Sequence, residues 1–276
     1  MGDKVLKIGT VHQCNCCLGS KTLHPLVSVI DLSKADLSPH MDIKFGFYTI
    51  LLSECKCEAY AYGHQCCDFS DGTLVCLTPG ESISMKENNK EFPSKGWILA
   101  FHPDLICGTP LGLNIHNYTF FSYCPEEALH LSLREKQIIL EFLERIRQEL
   151  ERCIDRHSKK IISKYIELLL DYCTRFYERQ FITRSEVNKK VFREFNHLLD
   201  NHFNVKVSLS TDVLSDEYCA NLLHLSPAYF NDLLKYEIGK EFKEYIQFKR
   251  FEIAKGWLVN TDKTLGQIAQ ELGFSN

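Results

Sequence analysis

Hydrophobic positions change their period along this chain, and the changes divide it into stretches of different structure. From residue 24 to about 122, short runs rich in aromatic and β-branched residues stand between Gly and Pro: "LVSVIDL", "IKFGFYTILL", "CEAYAYG", "TLVCLTP", "GWILAFH" and "YTFFSY". Runs of this length and composition predict strands. Several at close spacing predict an antiparallel sandwich or small barrel. The sharpest is "SDGTLVCLTPGES", where Asp71-Gly72 supplies a tight turn and Pro79-Gly80 ends the strand.

At Ser132 the period becomes helical. "SLRE" is a capping box, with Ser132 as N-cap and Glu135 at the third helical position. Ile139, Leu143, Ile146, Leu150 and Cys153 succeed it at alternating spacings of four and three. A second run, from about Lys159 to Arg179, carries Ile162, Ile166, Leu169, Cys173 and Phe176 on one face. Together they predict an αα-hairpin joined near "RHSKK", with a seam-like spacing suited to packing on a second subunit. The polar stretch "RQFITRSEVNKK" leads to a third helical segment, with Phe192, Phe195, Leu198, Leu199 and Phe203 at helical spacing, so the domain boundary is placed near residue 185.

The most specific pattern is "SDEYCANLLHLSPAYFNDLLKYEIG", residues 215 to 239. A helix-turn-helix needs a small residue midway along its first helix, so that the second can approach. Ala220 stands there. Four residues on, His224 falls where the chain must turn through a left-handed conformation. Ser226 is placed as N-cap and Pro227 as the first residue of the second helix. Phe230, Leu233 and Leu234 form its buried face, which leaves Tyr229, Asn231, Asp232 and Lys235 for the outside. The chain's end repeats the scheme: Thr264 and Gln267 make a capping box, Ala269 is the small residue and Gly273 the turn. Ala220 and Ala269 are 49 residues apart. Between them lies a long helix, with Phe242, Ile246, Ile253 and Trp257 roughly along one side.

These residues resemble the AraC/XylS family of transcription regulators. The resemblance is carried by "LHLSPAYFNDLLKYEIGKEFKEYIQFKRFEIAKGWLVNTDKTLGQIAQELGFSN". In that family two helix-turn-helix motifs are joined by one helix, and "LGFSD" or a close variant leads into the second recognition helix. The resemblance therefore implies that this chain stops inside its second motif. "HPLVSVIDLS", "KFGFYTI", "DGTLVCLTPGE", "GWILAFHPDLICGTPLG" and "YTFFSYCPEEALHLS" look like the sensor half of AraC-type regulators common in Bacteroidetes-like bacteria. The fold implied is α+β with two domains. Residues 22–130 are expected to form an antiparallel cupin-like sensor barrel, 131–180 a helical pair for dimerisation, and 186–276 an all-α DNA-binding domain with an incomplete second motif.

The resemblance also implies partners: double-stranded promoter or operator DNA, a second copy of the chain, a small-molecule effector, and a contact with RNA polymerase. The family's base-facing positions fall on Ala228, Asn231 and Asp232. Asn suits adenine, a carboxylate suits the cytosine amino group, and Ala suits a thymine methyl. Many members carry Arg where Asp232 stands. Ser226, Pro227, Tyr229, Lys235, Lys240, Lys243, Lys263 and Thr264 complete the expected DNA-binding set. Residues 206 to 276 hold eight Lys or Arg against ten Asp or Glu, a net of −2. Phosphate neutralisation supplies much of DNA affinity, so the lysines must gather on one face.

Composition narrows the remaining choices. Net charge is −4, with 45% hydrophobic and 25% charged residues, ordinary for a globular chain. No apolar run approaches the roughly 20 residues that span a bilayer, and "MGDKVLKIGTVHQCNCC" has no apolar signal core. A cytoplasmic protein without membrane contact is expected. Its thirteen cysteines are an odd number, expected to be thiols that pack as small hydrophobes. Cys14, Cys16 and Cys17, in a terminus expected to be mobile, raise the alternative of a metal- or redox-binding protein. A cupin-fold enzyme is the other alternative, but the stretch after Pro79-Gly80 has no His and His102 lacks a spaced partner. Neither catalysis nor a cofactor is expected. Phe47, Tyr60, Tyr62, Phe101 and Phe120 are the candidates for lining an apolar effector pocket.

Overall fold

The computed structural model of the chain describes residues 5–35, 42–54, 71–83, 95–205 and 214–274. In order, the first unit carries β1 (Val5–Ile8), α1 (Val11–Cys17), β2 (Val27–Asp31), β3 (Asp42–Phe45), β4 (Tyr48–Ser53), β5 (Gly72–Leu77), β6 (Ser82–Ile83), β7 (Gly96–Phe101), α2 (Pro103–Ile106), α3 (Pro110–Asn114), β8 (Leu129–Leu131), α4 (Leu133–Leu150) and α5 (Ser158–Thr183). The second carries α6 (Ser185–Val205), α7 (Asp216–Leu222), α8 (Pro227–Ile238), α9 (Phe242–Asn260) and α10 (Leu265–Leu272). The two compact units are Met1–Thr183 and Arg184–Asn276.

In the first unit a five-stranded antiparallel sheet runs β2-β7-β4-β5-β8. Side chains alternate between its faces, as the pleat requires. Ile30, Leu51, Ile98 and Ala100 point into a cluster shared with Ile8, Val11, Cys14, Ile43 and Phe45. Those partners come from α1 and the small sheet β1-β3-β6, in which β1 runs parallel to β3. Among the described residues the two sheets are open and no closed barrel forms.

The helical pair forms as its spacing predicts. Ile139, Leu143, Ile146 and Leu150 of α4 are buried, as are Ile162, Ile166, Leu169, Cys173 and Phe176 of α5. Ser132 and Glu135 make the capping box. Cys153 departs from expectation: it lies past the last turn of α4 and is exposed. Arg179 of α5 forks onto Glu135 at 2.9 to 3.0 Å and donates to the His130 carbonyl at 2.7 Å. Gln180 acts as a strand partner for β8. Its Oε1 accepts from the His130 N–H at 2.8 Å and its Nε2 donates to the Ala128 carbonyl at 3.2 Å.

Two other expectations need correction. "YTFFSY" is no strand: Thr119–Ser122 forms a short 3-10 turn. Phe120 and Phe121 are neighbours and both are buried, the first against Tyr177 and the second against Tyr48. A strand would send them to opposite faces. The N-terminal stretch is structured from Val5 onward, and Cys14 lies fully buried in α1. "CEAYAYG" lies outside the described residues.

Candidate nucleic-acid interface

The second unit is assembled around an aromatic cluster. Phe195 of α6 meets Phe230 of α8 edge-on at 5.0 Å and packs on Phe242 and Tyr245 of α9 at 6.0 and 5.8 Å. Tyr245 also donates its hydroxyl to Asn196 Oδ1 at 2.6 Å. Rings in this tilted and edge-on range add about 0.5–1.5 kcal/mol per pair beyond their buried area. The cluster orients α8 against α6 and α9.

Around it the helix-turn-helix takes the form its residues dictate. Ala220 is fully buried. His224 has φ of 56°, the one non-glycine residue at positive φ among those described. Leu225 N–H then closes the turn on the Ala220 carbonyl at 2.9 Å. Ser226 caps α8 by accepting from the Tyr229 N–H at 3.2 Å, Pro227 comes next, and Gly239 ends the helix at φ of 65°. The second motif copies this geometry. Thr264 and Gln267 form the capping box of α10, Gly273 turns at φ of 69°, and Phe274 N–H bonds the Ala269 carbonyl at 2.9 Å. In both motifs the small residue, the left-handed residue four on and the closing bond five on coincide. Between the motifs, α9 spans 19 residues, about 28 Å at 1.5 Å per residue.

The expected contact residues do not all lie outside. Tyr229 is buried, at 6% exposure. Its position one turn before Leu233 puts it on the face that Phe230 and Leu234 also use. Ser226 is buried as well, its hydroxyl engaged as the cap. Pro227, Ala228, Asn231 and Asp232 are half-buried, and Lys235 is exposed. Asn231 donates its amide to Asp216 Oδ2 of α7 at 2.9 Å. Nothing in the sequence pattern marks Asp216; its role shows only once α7 and α8 are packed.

The lysines are partly spoken for by neighbours. Lys235 Nζ lies 3.5 Å from Glu241 Oε1. Lys240 sits 5.9 Å from the Phe248 ring centroid. Lys263 pairs with Glu271 and lies 4.3 Å from the Trp257 ring centroid. Lys243 and Thr264 are exposed on α9 and at the start of α10. The first three lysines are therefore balanced by carboxylates or held over rings, which agrees with the net negative local charge.

The pocket residues expected from sequence belong to the core. Phe47 and Phe101 are fully buried and Phe120 nearly so; Phe101 stacks on Tyr48 at 5.1 Å. Tyr60 and Tyr62 lie outside the described residues. Two cavities among the described residues lie elsewhere, and Trp97 lines both. One of about 640 Å³ is lined by Glu54, Trp97, Gln137, Leu140, Glu141 and neighbouring α4 residues. The other, about 260 Å³, is lined by Trp97 with Lys21, Asp31, Lys34 and Arg147 among others. None of the three phenylalanines lines either. Sequence reasoning passes over Trp97 because its strand reads as uninterrupted core.

Among the described residues no helix is long and apolar enough to cross a membrane. No group of three or more His, Cys, Asp or Glu is placed there to hold a metal. His102 caps α2, accepting from the Asp104 N–H at 3.2 Å.

Comparison with known proteins agrees with this geometry. A family profile described as a helix-turn-helix domain, of the AraC type, matches residues 219–276. The chain is 30% identical over 91 residues to an uncharacterized HTH-type transcriptional regulator, YtdP, of Bacillus subtilis (strain 168). That alignment covers 33% of this chain and 12% of the relative, so the chain spans about an eighth of the length of the curated relative it matches. No solved structure matches the chain. Residues 219–276 are thus an AraC-type helix-turn-helix domain, similar to part of that regulator.

Proposed function

We propose that the protein is a sequence-specific DNA-binding transcription regulator in which α8 enters the major groove. The observation that carries this reading is the paired geometry of the two motifs, with the same small residue, left-handed turn and closing bond at Ala220–Leu225 and Ala269–Phe274. A stiff helix of about 28 Å separates them, which suits a protein tracking one face of a duplex with a repeat of about 34 Å. Ala228, Asn231 and Asp232 are the base-reading candidates. Lys235, Lys240, Lys243 and Lys263 are the phosphate candidates, with Thr264 at the start of α10.

The first unit we assign to sensing and pairing. Trp97 and the cavity it lines with Leu140, Leu143, Glu54, Glu141 and Glu144 suit a small effector with an amine or hydroxyl group. The α4–α5 pair is the element proposed to meet a second copy. Effector binding would alter DNA affinity only through unequal affinity for two arrangements of the protein. Selection of bound duplexes from a random pool tests the central claim. An enriched motif that Asn231→Ala blurs at one position supports it, and recovery of no motif overturns it.

A further inference from the structure

Cys16 and His12 stand one turn apart on α1, and nothing in DNA recognition uses them. Cys16 Sγ lies 3.6 Å from His12 Nε2, within reach of a thiol–imidazole hydrogen bond, and both side chains are exposed. The far side of the ring is held in place. His12 Nδ1 is 2.9 Å from Thr22 Oγ1, which accepts from Asn15 Nδ2 at 3.1 Å. Asn15 Oδ1 in turn accepts from Ser28 Oγ of β2 at 2.7 Å. Asn15 is fully buried and Ser28 is 6% exposed. A chain of side-chain bonds thus runs from the large sheet to the ring. With Nδ1–H given to Thr22, Nε2 is left to accept the thiol proton.

The platform beneath is firm. Val11, Cys14 and Leu18 sit in the core, and Thr10 and Gln13 form a capping box at the start of the helix. The other described thiols have different settings. Burial raises Cys14 to about 12 and Cys219 to about 11, and raises Cys76 and Cys173 as well. The exposed Cys124 is also raised, by burial of its sulfur and then by Glu127 and Glu126. Cys17 is exposed, one residue on and about 100° around the helix. A nucleophile, a base in contact with it and a third group orienting the base is the arrangement that activates a thiol.

We propose that Cys16 is a covalent modification site for α,β-unsaturated carbonyl compounds, with His12 as its base and Thr22 as the positioning residue. His12 Nε2 takes the thiol proton, and the thiolate attacks the β-carbon of the electrophile. A sulfur–carbon bond forms while the π pair moves to the α-carbon as an enolate. The imidazolium then returns the proton to that carbon. Nothing is oxidised or reduced, His12 is regenerated and no further reactant enters. A metal fits less well: one helix offers two ligands here where zinc takes four, and no third His, Cys, Asp or Glu is placed to join them among the described residues.

N-ethylmaleimide, itself an α,β-unsaturated carbonyl compound, tests this on the full chain. It is added at limiting dose near pH 7, and each thiol is tracked by peptide mass spectrometry. Cys16 is expected to react at least about tenfold faster than Cys17, Cys107 and Cys153, a modest share of what a positioned base supplies. His12→Gln brings Cys16 down to their rate. Thr22→Val slows it and Thr22→Ser restores it, a rescue that a merely structural role would not produce. Circular dichroism establishes that each variant keeps the fold. Equal labelling of Cys16 and Cys153, or a Cys16 rate indifferent to His12→Gln in a folded variant, overturns the proposal. Because the readout is chemical, it stands or falls apart from DNA binding.

Discussion

Asn231 of α8 donates its side-chain amide to Asp216 Oδ2 of α7 at 2.9 Å, across the turn of the first motif. The bond fixes the Asn231 rotamer and leaves Oδ1 and the second amide hydrogen free to form the two bonds an adenine edge offers. Asn231→Ala is expected to cost about 1–3 kcal/mol of discrimination at one base pair. Asp216→Ala releases the rotamer and also removes a negative charge near the phosphates. It should therefore narrow the gap between specific and random duplexes without weakening binding to random DNA. Fluorescence anisotropy against both duplexes measures this, and an unchanged gap in Asn231→Ala removes the residue from base reading.

Lys235 and Glu241 form an exposed pair, with side chains 65% and 70% accessible. Such pairs contribute little to stability, yet this carboxylate competes with any phosphate for the lysine. Glu241→Gln should leave the unfolding midpoint unchanged while tightening DNA binding. The slope of log affinity against log salt should steepen by about one, as expected for one added phosphate contact. Lys235→Ala should weaken binding across all sequences alike. An unchanged slope and affinity would place Lys235 away from the backbone.

How much of this is legible in the sequence depends on how local the cause is. The distance from Ala220 assigns His224 to the left-handed turn, and its φ of 56° agrees. Ser132, Ser226 and Thr264 are readable as caps because a cap involves only the next three residues. Tyr229 is legible from its place one turn before Leu233, and its burial widens the inner face of α8 beyond Phe230, Leu233 and Leu234. Phe120 and Phe121 read as strand because aromatic composition says nothing about whether neighbours bury together. Trp97 and Asp216 stay hidden for the same reason: their partners lie on other elements.

His224 also carries a stability prediction. A non-glycine residue in the left-handed region costs roughly 1–2 kcal/mol, and more for a β-branched side chain. His224→Val should destabilise the second unit by about 2 kcal/mol, whereas His224→Gly should be tolerated. Urea unfolding monitored by tyrosine and tryptophan fluorescence distinguishes them. Equal midpoints for the two variants would mean that the turn relaxes away from the left-handed form.

His24 gives the first unit an acid sensitivity. It is 7% exposed, and its Nδ1 accepts from the Leu26 N–H at 3.1 Å. Burial disfavours the imidazolium and holds the group below its ordinary value of 6.5. The unfolded chain therefore binds a proton more readily than the folded one. The stabilisation from neutral His24 is fully present above about pH 6.5. It is lost as pH falls from there through the lower folded value, beneath which both states are protonated. His24→Asn keeps an acceptor for the Leu26 N–H, in the manner of an Asx turn, and removes the titration. The urea midpoint should fall more between pH 7.5 and 5 in the unaltered chain than in this variant. Groups common to both proteins cancel in that difference, so parallel curves would show that His24 takes up its proton as readily folded as unfolded.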